Sequence, residues 1–428
     1  MCQENRPLVS RRTVPLCHAG EVYLMAEFIQ VVNYQTALEK IKEYFPRAQT
    51  EIIDLEKSLN RVLAEKIISP ENLPAFNRST VDGYAVRAED TFGSSESMPA
   101  YLDFAGEIEM GYEPDIEIKP GECCWIPTGG MLPEGGNSAV MVEYTEKLGE
   151  DTILIYRPVG PWENVMQRGE DVTEGKMLFS KGKLLRPQDI GLLASLGIAK
   201  VRVYKPYKLG ILSTGDEIIP VNKRPTIGQV RDINSYSLAA AVQSCGNAPI
   251  TYPIIKDELD TLKSAVETAI QENDVVIVSG GSSVGVMDVT LDTLLSFNDS
   301  EMLFHGIAVK PGKPTMAVRI GSKLVIGLPG HPVSALMMFN IVCRPAMGVN
   351  TRLEVDARLP VNIASQAGRD DFIPVELINE DNDNQWTARP LLGKSGLMSI
   401  LSRANAYIHI SYEKQGLKKD EIVKAYVF

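Results

Sequence analysis

The alternation of short buried-type strands with amphipathic helices over residues 207–350 constrains this chain more than any other feature. Leu209–Ser213, Ile250–Ile255, Val275–Ser279 and Lys323–Leu328 are apolar runs of the length that fills strands covered on both faces. Between them, helices are expected from Asn234 to Gly246, from Asp257 past Leu262, Val266 and Ile270, and from Pro332 to about Met347, with Asn234 and Asp257 as N-caps. Strands that alternate with helices make a parallel sheet with helices on both sides. Ligands of such sheets bind where strands end and helices begin.

The remainder reads differently. Residues 1–25 show no periodicity and are expected to be a disordered tail. Residues 26–73 and 172–206 read as a helical linker domain, with a helix capped by Asn33, a strand at Glu51–Leu55, a second helix around Leu59–Glu65 and another over Arg186–Gly197. Residues 74–171 are dense in Gly and Pro between β-favouring runs and form an inserted all-β arm. Residues 351–428 return to short alternating segments, a small β-barrel or sandwich. The expected fold class is a multidomain α/β protein with a parallel sheet domain (207–350), the arm, and the C-terminal β domain.

Lys plus Arg number 43 and Asp plus Glu 55, a formal charge of −12, so non-specific nucleic-acid binding is excluded. No apolar run reaches the ~18–20 residues that span a bilayer. The cysteines, Cys2, Cys17, Cys123, Cys124, Cys245 and Cys343, form no CxxC pair, which points to a reducing cytoplasm. Cys123 and Cys124 are adjacent, and in a strand they are expected to point to opposite faces.

The strand-end loops carry the chemistry. They are Ser213–Thr214–Gly215–Asp216–Glu217, the turn at Asp257, Ser279–Gly280–Gly281–Ser282–Ser283 followed by Asp288, and Gly327–Leu328–Pro329–Gly330–His331–Pro332 leading to Ser334. Glycine lets backbone N–H groups close around an anion. Lys310–Pro311–Gly312–Lys313–Pro314 adds cations on a stiff turn. Carboxylates beside a bound phosphate repel it unless a hard cation such as Mg²⁺ lies between them, so the set points to a phosphate-bearing substrate with a divalent metal. There is no P-loop and no GxGxxG.

These loops resemble the MoeA-type molybdopterin molybdenumtransferases, whose eukaryotic counterparts are gephyrin-like E domains. So do Asp82–Gly83–Tyr84–Ala85, Pro127–Thr128–Gly129–Gly130, Arg168–Gly169–Glu170–Asp171, Arg369, Ser395–Gly396 and Ala404–Asn405. The resemblance runs from about residue 26 to the end. It implies an elongated homodimer that binds adenylylated molybdopterin, accepts molybdate, and releases AMP and metal-loaded cofactor. It places the site between the sheet domain of one subunit and the β arm of the other. Asp257, Asp288 and Glu217 resemble the carboxylates around the adenylyl phosphates and Mg²⁺. Lys310, Lys313, Ser334, Arg369 and Ser395 resemble the molybdate pocket, as suits an oxyanion. Asp82, Thr128 and Asp171 resemble sensitive positions in or beside the arm. The resemblance further implies that Gly215, Gly280, Gly281, Ser282, Pro329 and Pro332 line the substrate. The upstream adenylyltransferase and the downstream molybdoenzymes are implied partners. Two departures are His331, where the family often has Asn, and Gly306, where some members have Lys.

Plainer roles compete at several positions. Capping alone accounts for Asp257, a first-turn charge for Glu217, and a solubilising turn for Lys310 and Lys313. Two other functions fit parts of the pattern: a molybdopterin adenylyltransferase, which the β arms argue against, and a non-catalytic scaffold, which has no need of the carboxylates.

Overall fold

The computed structural model describes residues 31–280, 289–348, 353–379 and 385–428. The expected tail and the positions Gly281, Ser282 and Asp288 lie outside the described residues. The chain forms two compact units, Gln49–Lys205 and the sequence on either side of it.

Helix α1 (Tyr34–Tyr44) is capped by Asn33, whose side chain accepts from Thr36 N–H at 2.8 Å. In the Gln49–Lys205 unit, β1 (Thr50–Asp54) pairs antiparallel with the strand Lys200–Tyr204. Between these two in sequence, six strands form a larger sheet: β2 (Gly83–Val86), β3 (Ala100–Glu107), β4 (Glu122–Ile126), β5 (Ser138–Met141), β6 (Thr145–Leu148) and β7 (Thr152–Ile155), in the order β5-β2-β4-β3-β7-β6. Alternate residues feed separate cores. Tyr84, Val86, Cys123 and Val140 enter one, and Ala85, Cys124, Ile126 and Ala139 the other. The adjacent cysteines therefore face opposite ways, as expected, and burial pushes both thiols up to about 12, which keeps them unreactive. Gly83 is required here, because a Cβ would sit 1.9 Å from Val140 O.

The helix expected at Leu59–Glu65 is absent. Asn60 adopts φ +59°, and Val62 and Leu63 bridge to Leu184 and Val203. Buried Leu63 gains more from this pairing than from a helical turn. Helix α2 (Pro187–Ser195) does form, with Asp189 receiving Arg186 N–H at 3.0 Å. Arg186, together with Lys183 at 3.2 Å, holds the buried Asp189 carboxyl down to about 2. A lowered folded-state value adds stability above pH ~4 that is lost as pH falls towards ~2. Thermal melts of Asp189→Asn between pH 5 and 2 should show a flatter acid limb, worth about 1 kcal/mol after screening at the exposed Arg186.

In the second unit a six-stranded sheet is built from β9 (Lys208–Ser213), β10 (Ala248–Thr251), β11 (Val275–Ser279), β12 (Ser300–His305), β14 (Met316–Ile320) and β15 (Lys323–Leu328); β8 denotes Lys200–Tyr204 and β13 Val309–Lys310. The order is β10-β9-β11-β15-β14-β12. β10, β9, β11 and β15 run parallel, but β14 and β12 are antiparallel. The expectation of a parallel sheet is corrected to a mixed one. Gly321–Ser322 join Ile320 to Lys323 as a two-residue hairpin, with Gly321 at φ +58°, and such a link allows only antiparallel neighbours.

Helices cover both faces. α3 (Asn234–Ser244) and α6 (Pro332–Met338) pack with α1 on Leu209, Ile211, Val275, Ile277 and Ile326. α4 (Leu259–Glu272) and α5 (Val289–Leu295) cover Leu212, Val276, Val278 and Val325. Beyond α6, the helical path continues through a π turn at Phe339–Cys343 to Ala346. The C-terminal strands β16 (Glu354–Arg358), β17 (Asp370–Ile378), β18 (Trp386–Pro390), β19 (Ala406–Ile410) and β20 (Ile422–Val427) close into a barrel, β17-β18-β16-β20-β19 and back to β17. Among the described residues no helix is long and apolar enough to cross a membrane.

Candidate functional site

β9, β11 and β15 end level with one another, at Ser213, Ser279 and Leu328. The next residues of each are packed at backbone distance. Thr214 N–H donates to Ser279 O at 3.0 Å. Gly280 has φ +125°, and a Cβ there would lie 2.1 Å from Thr214 O. A Cβ on Gly330 would lie 3.6 Å from Gly280 Cα. Of these two glycines, Gly280 is dictated by close approach, whereas Gly330 has room for a Cβ.

Asn234 ties these loops together. Its Nδ2 donates to Ser279 Oγ at 2.7 Å and to Gly330 O at 2.9 Å. It is the first residue of α3 and not the cap; Asp232 serves that end by accepting Ser235 N–H at 3.0 Å. Ser213 Oγ also donates to Asp232 Oδ1, at 3.1 Å.

The acidic side lies next to Thr214, which bridges in parallel to Ile255 and so carries Asp257 to the strand end. Asp257 does not cap a helix, contrary to the simplest reading of its position. α4 starts at Leu259, and its N-cap residue Glu258 makes no side-chain cap. Asp257 Oδ1 and Thr214 Oγ1 are shut off from solvent and lack a hydrogen-bond partner among the described residues. Burial pushes the Asp257 carboxyl above the usual carboxylate range; the nearby Thr214 hydroxyl pulls it back, and the charges of Asp216 and Glu217 raise it further. Asp216 Oδ1 accepts Asp257 N–H at 3.4 Å. Glu217 is exposed, with its Oε2 2.9 Å from where a Gly215 Cβ would sit. The structure therefore groups Gly215, Glu217 and Asp257.

The basic side forms around α6. A Cβ on Gly312 would lie 2.2 Å from Met338 Sδ, so the Lys310–Lys313 turn is seated on this helix and presents both lysines exposed. In the β13–β17 pairing Lys310 stands beside Asp371. The buried Asp371 accepts from Arg369 Nε at 2.8 Å, so Arg369 is partly balanced before any anion arrives. Ser395 O accepts Val333 N–H at 3.1 Å, which lays that loop on the first turn of α6, where Ser334 is buried. Pro332 opens the turn and His331 precedes it without capping it. Lys310, Lys313, Ser334, Arg369 and Ser395 are thus all tied to α6 or to the strand pairing at its side, and Pro329–Gly330 links them to Gly280.

Asp82, Thr128 and Asp171 belong to the Gln49–Lys205 unit. Thr128 N–H donates to Asp82 Oδ1 at 2.7 Å, and that bond, with the Thr128 hydroxyl, lowers the Asp82 carboxyl. Both are exposed, as is Asp171, whose N–H donates to Leu73 O at 3.1 Å in another loop. The structure brings Asp82 and Thr128 together, but not through any bond to Asp171. Among the described residues no three metal-ligating side chains form a ready cluster. Sequence reasoning placed Thr214 in a candidate loop without giving it a role, took Asn234 for a cap, and missed Asp371. The adjacent acids Asp370–Asp371 at the start of an apolar strand were the one usable signal.

Family models match in chain order. MoeA N-terminal region (domain I and II) covers 32–197, "Probable molybdopterin binding domain" covers 210–348, and MoeA C-terminal region (domain IV) covers 356–428. The molybdopterin molybdenumtransferase of Haemophilus influenzae is 34% identical over 92% of this chain and 98% of its own length. That of Bacillus subtilis is 30% identical over 91% and 92%. The crystal structure of a molybdopterin biosynthesis MoeA protein from Pyrococcus horikoshii superposes with a TM-score of 0.77 at 35% identity, covering 93% of this chain and 99% of that one. The matches run through the strand-end loops and the barrel alike, and on them the chain belongs to the MoeA family of molybdopterin molybdenumtransferases.

Proposed function

We propose that this chain inserts molybdate into adenylylated molybdopterin and releases AMP with the finished cofactor. One observation carries the reading: at the Thr214–Gly280 strand ends Asp257 keeps a buried oxygen with no hydrogen-bond partner among the described residues, while the exposed Lys310–Lys313 turn is seated on α6, the helix that follows β15 of the same sheet. The lysines, Arg369, Ser334 and Ser395 supply the donors that an oxyanion needs. Asp257 and Glu217 would supply oxygens to a hard cation such as Mg²⁺, which would neutralise substrate phosphate charge. A carboxyl raised by burial and by like charge gains from such a cation, so these residues fit it. When bound, Mg²⁺ neutralises phosphate charge. Asp82, Thr128 and Asp171 belong to the same reading as functional positions of the arm, and the working species is a homodimer in a reducing cytoplasm.

The test is AMP release from purified adenylate. Release should require molybdate and Mg²⁺ together and should occur on a particle of twice the chain mass by sedimentation. Pyrophosphate formed from ATP and molybdopterin would instead mark an adenylyltransferase, and tight adenylate binding without release a scaffold.

A further inference from the structure

Two acids stand side by side at the start of β17, and the strand sends them to opposite faces. Asp370 shares its face with Phe372. There His409, opposite Phe372 on β19, places its Nε2 2.7 Å from Asp370 Oδ1 and stacks on the Phe372 ring at 4.6 Å. Asp371 shares the other face with Arg369, and Lys310 stands in register with it on β13. Both acids are buried, so each carboxylate needs a partner inside the fold. His409 serves Asp370, and Arg369 serves Asp371. Lys310, although it is the strand neighbour, makes no ion pair with Asp371 among the described residues and stays exposed.

The shape of the Arg369 bond is as telling as its charge. Asp371 Oδ1 accepts from Nε at 2.8 Å and Oδ2 from Nη2 at 3.5 Å, so the carboxylate lies along one edge of the guanidinium. A guanidinium carries five N–H donors in a rigid plane, and this edge takes two of them. The rest include the Nη1–Nη2 fork at the tip, which suits two oxygens of one anion. The Asp371 side chain is 4% exposed and that of Arg369 31%, so the clamping group is inside the fold and the clamped one reaches solvent. We propose that Asp371 is a positioning residue for oxyanion binding: it clamps the Nε edge of Arg369 and so aims the Nη1–Nη2 fork, beside Lys310, at the incoming dianion. This rests on the function proposed above, which gives Arg369 a place among the oxyanion donors and Asp371 none.

Calorimetric titration of the full-length protein with sodium molybdate, together with turnover of the adenylate, tests the clamp. Asp371→Asn keeps the size of the side chain but sets an NH₂ group against a guanidinium donor, which frees the plane to turn. Molybdate should bind this variant about tenfold more weakly than the parent, and the molybdate KM should rise about tenfold while kcat holds. Arg369→Ala should lose at least as much. Adding Asp371→Asn to Arg369→Ala should cost less than about twofold more, because Asp371 acts only through Arg369. Asp370→Asn, which removes the same charge from the other face, should bind molybdate as the parent does. If Asp371→Asn does not fold, as read from its melt, Asp371→Ser repeats the comparison. Unchanged molybdate affinity on removing the carboxylate overturns the proposal. Tighter binding also overturns it, since Asp371 would then be only a counter-charge. An equal loss in Asp370→Asn, or a further loss of about tenfold in the double variant, does the same. Molybdate failing to bind the parent overturns it too. Absence of AMP release from a parent that binds molybdate overturns the function reading alone; the loss of binding on removing the clamp would still stand.

Discussion

Gly280→Ala is expected to lower the melting midpoint by about 10 °C and turnover by at least ~100-fold. A Cβ at this position would lie 2.1 Å from Thr214 O, a backbone atom that cannot move without shifting β9. Its φ of +125° is also one that an L side chain rarely adopts. Strain of ~1–3 kcal/mol from the backbone and a similar amount from overpacking add to about 3 kcal/mol or more. At ~2–4 °C per kcal/mol for a unit of this size, that gives the expected shift. Gly330→Ala is the built-in comparison, because its Cβ would meet only Gly280 Cα at an ordinary 3.6 Å. It should cost under ~1 kcal/mol. Differential scanning calorimetry with the AMP-release assay reads both. Equal losses in the two variants would mean that the strand-end packing is not what shapes the site.

Asp257→Asn should reduce AMP release by on the order of 10³-fold while leaving the melting midpoint level or higher by about 1 °C. The raised carboxyl means that the folded chain holds this proton more tightly than the unfolded chain does. Stability from Asp257 is therefore greatest below its unfolded value of 3.8 and declines as pH rises through the folded value above it. Asn removes that decline, so the variant should not melt below the parent at neutral pH. Millimolar Mg²⁺ with AMP should raise the midpoint of the parent and not that of the variant. A variant that melts early, or that still turns over, would return Asp257 to a structural role.

Much of the architecture was legible because burial leaves a periodic record. Leu209–Ser213 and Val275–Ser279 carry no polar residue before their ends, and both are buried throughout on a sheet covered twice. The arm's alternation likewise separates Cys123 from Cys124. Where a local preference competed with a distant partner, sequence reasoning failed. Leu59–Glu65 looked helical, but Leu63 pairs with Val203, 140 positions away in the chain. The Gly321–Ser322 hairpin was hidden because an antiparallel neighbour and a parallel one bury the same residues.

The candidate site divides in the same way. Asp257 and Asn234 carry the residue types of helix caps, and type alone assigned them that task. The fold gives Asn234 two acceptors on separate loops and leaves Asp257 Oδ1 without a partner among the described residues. Arg369 was placed in the molybdate pocket by resemblance, and the fold sets Asp371 against it.

By itself the sequence determined which segments are buried, where the chain must turn on glycine, and which charges gather in its loops, since each of these depends on neighbours a few residues away. Only the tertiary structure decided which of those charges meet, which are already balanced, and which buried oxygen is left over. Those outcomes depend on strand order and on pairings across a hundred residues or more, which no local pattern encodes.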